Sequence, residues 1–179
     1  MSRITIAAVA AAALGLAAAP AFAQNASGTI NITGSVASKC AVTGGSSTFN
    51  EDLTELSDGN GVLRAISPLS HSFTVACSSA NANVTVDADA LVATGVAPTG
   101  YANTINFTGE AVVQRAGTTD LTVDNASTAA ATTLPTNAYL ANAANNVTIK
   151  ARDFATASAT DKLVAGAYAG KVVVTISPL

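Results

Sequence analysis

Apolar and polar residues alternate along much of this chain, and this period of two constrains its fold more than any other feature. In Gly28–Val36 the apolar face consists of Ile30, Ile32, Gly34 and Val36, while threonine, asparagine and serine occupy the other face. Side chains of a β-strand point alternately to its two faces, whereas an amphipathic helix repeats every three or four residues. The pattern therefore predicts strands, and no comparable helical period competes with it.

Further alternating segments are separated by glycine, proline, asparagine and serine, which favour turns. The register of the first segment continues through Ser38 and Cys40 to Val42. We predict later strands at His71–Cys77, Val84–Leu91, Asn103–Phe107, Glu110–Arg115, Asp120–Val123, Asn146–Ala151 and Lys171–Ser177. Residues 125–135 are interpreted as a loop or a poor strand, and the alanine-rich stretches allow at most one short helical turn. About eight or nine short strands at this spacing are typical of an all-β sandwich.

The N-terminus has the pattern of a secretory signal peptide. Met1–Arg3 are followed by an apolar run from Ile4 to Leu16, and Ala21-Phe22-Ala23 matches an A-x-A cleavage site before Gln24. A transmembrane anchor is the alternative, but it needs about 20 apolar residues, more than this run supplies. We therefore predict that residues 1–23 direct export and are removed, and that the mature chain has no membrane span.

Export also decides the chemistry expected of the two cysteines, Cys40 and Cys77. In an oxidising compartment such a pair usually forms one disulfide bond. A metal site or a reactive thiol are the alternatives, but the chain has 1 histidine and no C-x-x-C motif. We therefore predict a Cys40–Cys77 disulfide, no metal site and no cofactor.

Charge excludes a nucleic-acid partner. The chain has 8 lysine and arginine residues against 11 aspartate and glutamate residues, and its net charge is −3. Binding to nucleic acid needs clustered positive charge that neutralises phosphates, and this sequence has no such cluster.

Residues that could suggest catalysis or metal binding have simpler interpretations. His71 has a serine on each side, but neighbours on a strand point to opposite faces and cannot form a Ser–His relay. Asp87 and Asp89 are interpreted as the solvated face of a strand rather than as paired catalytic carboxylates. The acidic stretch Asn50–Gly61 lacks the spacing of an EF-hand loop. We predict no enzymatic activity and no catalytic residue.

Asn-x-Ser/Thr sequences recur in a chain rich in asparagine and threonine, and we assign them no function. In a eukaryotic secretory protein they would suggest glycans. They occur at Asn25, Asn31, Asn83, Asn106, Asn125 and Asn146.

The last predicted strand, Lys171–Ser177, carries Val172, Val174 and Ile176 on one face. We expect one edge of this strand to find no partner in its own chain. Native sheets usually cover or blunt an exposed apolar edge. A strand supplied by another molecule is one way to cover it.

Three motifs together resemble the archaic chaperone–usher pilins, which are grouped with spore coat protein U-like domains. They are G-T-I-N-I-T-G-S-V-A-S-K-C at Gly28–Cys40, F-T-V-A-C at Phe73–Cys77, and A-G-A-Y-A-G-K-V-V-V-T-I-S at Ala165–Ser177. In that family an alternating N-terminal segment leads to the first cysteine, the second cysteine closes a strand, and the final strand follows a G-x-Y-x-G/D turn. The resemblance covers both ends of the chain and its cysteines.

The resemblance implies an immunoglobulin-like β-sandwich that lacks its last strand and is completed by a donor strand. It further implies that a periplasmic chaperone fills the groove and that an outer-membrane usher exchanges the chaperone's strand for the N-terminal extension of the next subunit. The donor-strand residues would then be Ile30, Ile32, Gly34 and Val36. The edge of the acceptor groove would be Val172, Val174 and Ile176, opposite the strand that carries Cys40.

We therefore predict a signal peptide at 1–23, a donor-strand extension at 24–37 and a pilin-like sandwich domain at 38–179. The predicted function is that of a structural shaft subunit of a bacterial surface fibre, polymerised with itself or with related pilins after export through the periplasm. In the alternative, Gly28–Val36 is the first strand of its own complete sandwich. The protein would then be a secreted or surface binding module.

Overall fold

The computed structural model describes residues 30–179, which form an all-β fold. The predicted signal peptide and residues 24–29 of the predicted extension lie outside this range. No α-helix occurs between residues 30 and 179, so this part of the chain offers no helix that could cross a membrane. The prediction of an all-β sandwich is confirmed.

Ten strands lie within the described residues. They are β1 (Cys40–Gly44), β2 (Leu69–Cys77), β3 (Ala82–Ala93), β4 (Tyr101–Ala102), β5 (Thr104–Val113), β6 (Leu121–Ala126), β7 (Thr132–Pro135), β8 (Val147–Ala155), β9 (Lys162–Leu163) and β10 (Tyr168–Pro178).

The large strands form one antiparallel sheet that folds over into two layers. One layer has the order β1–β2–β8–β5–β6, and the other consists of β10, β3 and β7. The beginning of β5 also pairs with the end of β3, which joins the layers. The orders β1–β2–β8–β5 and β3–β10 match strands A–B–E–D and C–F of an immunoglobulin sandwich. β4 and β9 form a separate parallel pair.

The core lies between the layers and consists mainly of valine and alanine. Every second residue of β3 is buried, from Ala82 through Val84 and Val86 to Ala88. The facing residues of β5 include Ile105 and Phe107, and the even residues in this part of β3 and the odd residues in this part of β5 point inward as the alternation predicts. The other buried apolar residues are Phe73, Val75, Ala93, Ala102, Ala111, Val113, Val123, Leu140 and Val147.

Several predicted boundaries need correction. Asn103–Phe107 and Glu110–Arg115 were expected to be separate strands but belong to the single strand β5, which runs through Gly109. A Cβ atom at Gly109 would lie 3.0 Å from Cγ1 of Val172. The missing side chain therefore allows the two layers to pack closely here, and β5 continues through this glycine. Residues 125–135, predicted to be a loop or a poor strand, contain the end of β6 and the short strand β7.

The predicted disulfide between Cys40 and Cys77 is confirmed. The two residues lie directly opposite each other in the β1–β2 ladder, with 4.1 Å between their Cα atoms and 2.06 Å between their sulfur atoms. The bond therefore fixes the start of β1 to the end of β2.

The strand predicted at Gly28–Val36 is absent at residues 30–36, and residues 30–39 have no regular secondary structure. Ile30, Ile32 and Val36 are 86%, 89% and 85% exposed. The chain divides after Gly34, and the unit Ser35–Leu179 contains all ten strands. Alternation makes a segment suitable for a strand, but a strand also needs a neighbour that accepts and donates its backbone hydrogen bonds.

Two asparagines of the Asn-x-Ser/Thr sequences are buried and hold strands together. The side-chain carbonyl of Asn146 accepts a hydrogen bond from the Val75 backbone N–H at 2.8 Å, and its amide donates to the Val75 carbonyl at 2.7 Å. Asn125 accepts a bond from the backbone N–H of Ala88 at 2.9 Å. Buried polar groups need such partners, and the role of both residues is structural.

Candidate functional site

The two outermost strands of the layers, β1 and β10, leave an open side in the sandwich. β10 pairs along one edge with β3, and β1 pairs along one edge with β2. Among residues 30–179, no strand pairs with the second edge of either. An immunoglobulin sandwich has a strand G beside strand F, and no described strand occupies that place beside β10.

The inward face of β10 is the first wall of this open side. Val172, Val174 and Ile176 lie on one face and are only half-buried. Each lies directly opposite a residue of β3 that is at most 2% exposed. The predicted groove-edge residues therefore form one continuous apolar row, packed against the core from one side and open to solvent on the other.

The second wall consists of β2, β8 and the segment 46–53, which follows β1. Between the walls lies a cavity of about 490 Å³. Most of its lining is apolar, and four phenylalanine and leucine side chains face the β10 wall from the opposite side. They are Phe49, Leu53, Leu69 and Phe73. Ile149, Phe154 and Phe107 complete the apolar lining. A groove with an apolar floor beside an unpaired strand edge can bind an extended peptide.

His71 lies in this cavity and has a partner that its neighbours in sequence do not reveal. Its Nε2 atom is 2.5 Å from Oε1 of Glu51, and its ring stacks on Phe49 with 4.3 Å between centroids and 10° between planes. Ser72 points the other way and shares a hydrogen bond with Thr148 at 2.8 Å. The expectation that the adjacent serine cannot form a relay with His71 is confirmed for Ser72.

The start of β1 is held next to the groove by Ser78. The Ser78 hydroxyl donates to the carbonyl of Ala37 and accepts a bond from the backbone N–H of Lys39, both at 3.0 Å. Its backbone N–H donates to the Lys39 carbonyl at 2.9 Å. With the disulfide one residue further on, these bonds fix the point at which the predicted extension meets the sandwich. Sequence reasoning did not identify Ser78, because its role depends on a residue far along the chain.

The four predicted donor residues lie outside every sheet. Ile30, Ile32 and Val36 are almost fully exposed, and a Cβ atom placed on Gly34 would meet nothing within 4 Å. Their apolar side chains have no cover among the described residues.

The carboxylates considered for metal binding or catalysis are dispersed. Asp87 and Asp89 are exposed on the outer face of β3, as expected, and Asp89 lies 3.3 Å from Lys171. Within residues 30–179, no cluster of three or more histidine, cysteine, aspartate or glutamate side chains could hold a metal ion.

The strongest ion pairs lie on the outer face of the β1–β2–β8–β5–β6 layer. Glu110 accepts hydrogen bonds from Lys150 Nζ at 2.6 Å and from Arg152 Nε at 2.8 Å. The bonds from Lys150 and Arg152 hold the pKa of the Glu110 carboxyl below its usual value of 4.5, although partial burial acts in the opposite direction. The same contact with Glu110 raises the pKa of Arg152. Arg152 also lies 3.0 Å from Asp124 of β6, so this network braces three strands. One of its members, Lys150, also lines the groove cavity.

Comparison with protein-family models, with curated proteins and with solved structures gives no match for this chain. The features that bear on function are therefore the groove, the exposed N-terminal segment and the resemblance of the three motifs to archaic pilins.

Proposed function

We propose that this protein is a structural subunit of a bacterial surface fibre that polymerises by donor-strand exchange. The observation that carries the proposal is the half-buried row Val172, Val174 and Ile176 beside the unpaired edge of β10. One additional strand at this place would satisfy the free backbone groups and cover the row. The strand order of the sandwich indicates the same position, because strand G is the one immunoglobulin strand beside β10 that residues 30–179 do not supply.

The N-terminal segment has the properties required of that additional strand. Its apolar residues Ile30, Ile32 and Val36 share one face, and all are exposed. Full burial of an isoleucine side chain contributes roughly 1.5–3 kcal/mol, and a β-strand added to a sheet edge also gains main-chain hydrogen bonds. Segment 28–36 of one subunit therefore fits the groove of the next one, and repetition of this contact produces a fibre.

A subunit that waits for its donor strand exposes both an apolar groove and a free strand edge. Such surfaces promote aggregation. The proposal therefore includes a periplasmic chaperone that covers the groove and an outer-membrane usher at which the donor strand replaces it. The predicted signal peptide, the disulfide and the resemblance to archaic pilins support this route, which ends in an extracellular fibre or at the cell surface.

The test places charges on either face of the donor segment in the full-length protein. Ile30→Asp with Ile32→Asp puts two carboxylates into the groove, where an unpaired buried charge costs far more than a lost methylene. We expect this variant to fold with its chaperone and to lose polymer formation. Asn31→Asp with Thr33→Asp adds the same charges on the opposite face and is the matched control, which should polymerise nearly as well as the natural protein.

Polymer is measured as ladders in gels run without prior heating, and soluble subunit is measured by its recovery with the chaperone. Two results contradict the proposal. If the isoleucine variant alone yields unfolded protein and no chaperone complex, the segment belongs to its own sandwich. If both variants polymerise equally, the segment is not the donor strand.

A further inference from the structure

We infer that residues 46–53 form a strap that closes over the donor strand, with Phe49 as its contact residue and His71 as the residue that positions Phe49. This inference rests on the proposed function and extends it. It assigns the retention of the donor strand to a segment that belongs to neither of the two strands that border the groove.

The strap lies on the side of the cavity that faces β10. Its residues from Ser47 to Glu51, together with Leu53, line the same space as Val172–Val174. A strand that pairs with the free edge of β10 must enter this space. Phe49 is half-buried before the strand arrives, so its ring has apolar surface left to bury against an incoming aliphatic side chain.

The strap is attached only through side chains. No backbone hydrogen bond joins residues 46–55 to another segment of the described chain. Inside the strap, the Ser46 hydroxyl donates to the Thr48 carbonyl at 2.6 Å and accepts from the Thr48 N–H at 3.1 Å. Segments without backbone ties to a sheet open at lower free energy than the strands they cover, so this one is suited to move when a donor strand enters or leaves.

Both side-chain attachments converge on one residue of β2. Phe49 stacks on the His71 ring, and the Glu51 carboxylate accepts a hydrogen bond from the same ring at 2.5 Å. The Phe49 ring also lies 6.3 Å from the ring of Phe73. His71 thus holds the strap at two points, through Phe49 and through Glu51, so the position of Phe49 over the groove depends on it.

The experiment measures how fast a donor peptide leaves the groove. The host is the full-length chain with Ile30→Asp and Ile32→Asp, which keeps the groove but cannot act as a donor. The probe is a fluorescein-labelled synthetic peptide of residues 28–36, followed by fluorescence anisotropy. In this host, Phe49→Ala should increase the dissociation rate about tenfold, as expected for loss of an aromatic anchor at an interface. The association rate should change less than about twofold, because the strap closes after the peptide has bound.

His71 and conservative variants separate positioning from general stability. His71→Gln still donates to Glu51 but has no ring for Phe49, and we expect dissociation about threefold faster. Phe49→Tyr keeps the ring and should restore the rate of the host. Tyr139→Ala removes an exposed aromatic residue outside the groove and should leave both rates unchanged.

Each outcome decides a different point. If the host binds no peptide, the proposed function fails and the strap fails with it. If the host binds and Phe49→Ala leaves the dissociation rate unchanged, the proposed function stands and the strap is wrong. Faster association of Phe49→Ala with unchanged dissociation also overturns the inference, because the segment would then obstruct the groove and not retain the donor.

Discussion

Strands β3 and β10 are direct neighbours in one layer and have similar alternating sequences, yet their inward faces differ in burial. Val84 and Val86 of β3 are completely buried, whereas their partners Ile176 and Val174 of β10 are half-buried. Among residues 30–179, β3 has a strand on each side, and β10 has one on a single side. The comparison shows that two inward faces with the same alternating pattern differ in burial when one strand has two neighbours and the other has one.

In the proposed fibre, the lower burial of the β10 row allows it to bind the donor strand. A groove can bind a strand only if its apolar residues are fixed in place before the strand arrives, and pairing with β3 fixes those of β10. Because the side chains of the β10 row are only partly buried, they still have apolar surface whose burial would stabilise the bound strand.

Loss of the disulfide should have the largest effect, because it releases β1 from β2, which lines the groove opposite β10. The bond closes a loop with a sequence separation of 37 residues, for which the chain-entropy model gives about 4 kcal/mol. We expect Cys40→Ser with Cys77→Ser to lower the free energy of unfolding by about this amount in urea titrations. Free thiols in non-reduced exported protein, detected by mass spectrometry, would contradict the bond itself.

Gly170→Ala should separate β10 from β3. A Cβ atom at this position would lie 2.7 Å from the carbonyl oxygen of Asp89 and 2.8 Å from two backbone atoms of the next residues. Because the obstacles are backbone atoms of the paired strand, the ladder must shift, and we expect a loss of about 3 kcal/mol.

Gly59→Ala is the control for Gly170→Ala, since nothing lies within 4 Å of the added methyl group. Thermal unfolding of the two variants gives the comparison. Equal melting temperatures would mean that the close approach of β10 to β3 contributes nothing to stability.

The matched pair Val86→Ala and Val174→Ala tests the comparison directly. Val86 is fully buried, so its truncation should cost about 2–3 kcal/mol through lost burial and a cavity. Truncation of the half-buried Val174 to alanine should lower the free energy of unfolding by about 1 kcal/mol in the subunit with an empty groove. Saturation with a peptide of residues 28–36 should raise the cost of Val174→Ala toward that of Val86→Ala. If the peptide leaves this difference unchanged in urea titrations, the peptide does not cover the β10 row.

The smallest effect is expected at Glu110, outside the groove. Its folded-state pKa lies below 4.5, so its ion pairs contribute stability above the unfolded pKa, and this contribution is lost as the pH falls through the lower folded-state value. Glu110→Gln should remove this part of the acid sensitivity and cost about 1 kcal/mol at neutral pH. Binding of the donor peptide should not alter this pH dependence of stability. A shift of this pH dependence on peptide binding, followed by urea unfolding at several pH values, would show that the outer network and the groove are coupled.

Much of the fold and part of the site follow from local patterns. Alternation correctly predicted β2, the buried faces of β3 and β5, and the row on β10, because the direction of successive side chains along a strand is fixed by covalent geometry. At residues 30–36 the alternation describes the segment and says nothing of a partner strand, so no strand forms there in the single chain. It divided β5 at Gly109 because the benefit of a missing side chain there arises from Val172, on a distant strand.

From its residues alone, this chain is expected to form strands, the side chains that share a face of each strand can be named, and the two cysteines can be paired. The folded chain was needed to show that the β3 row is covered while the β10 row is open, that His71 holds both Phe49 and Glu51, and that Ser78 fixes the start of β1. Period and side-chain direction are local properties, whereas burial and pairing depend on which strands become neighbours after long loops close.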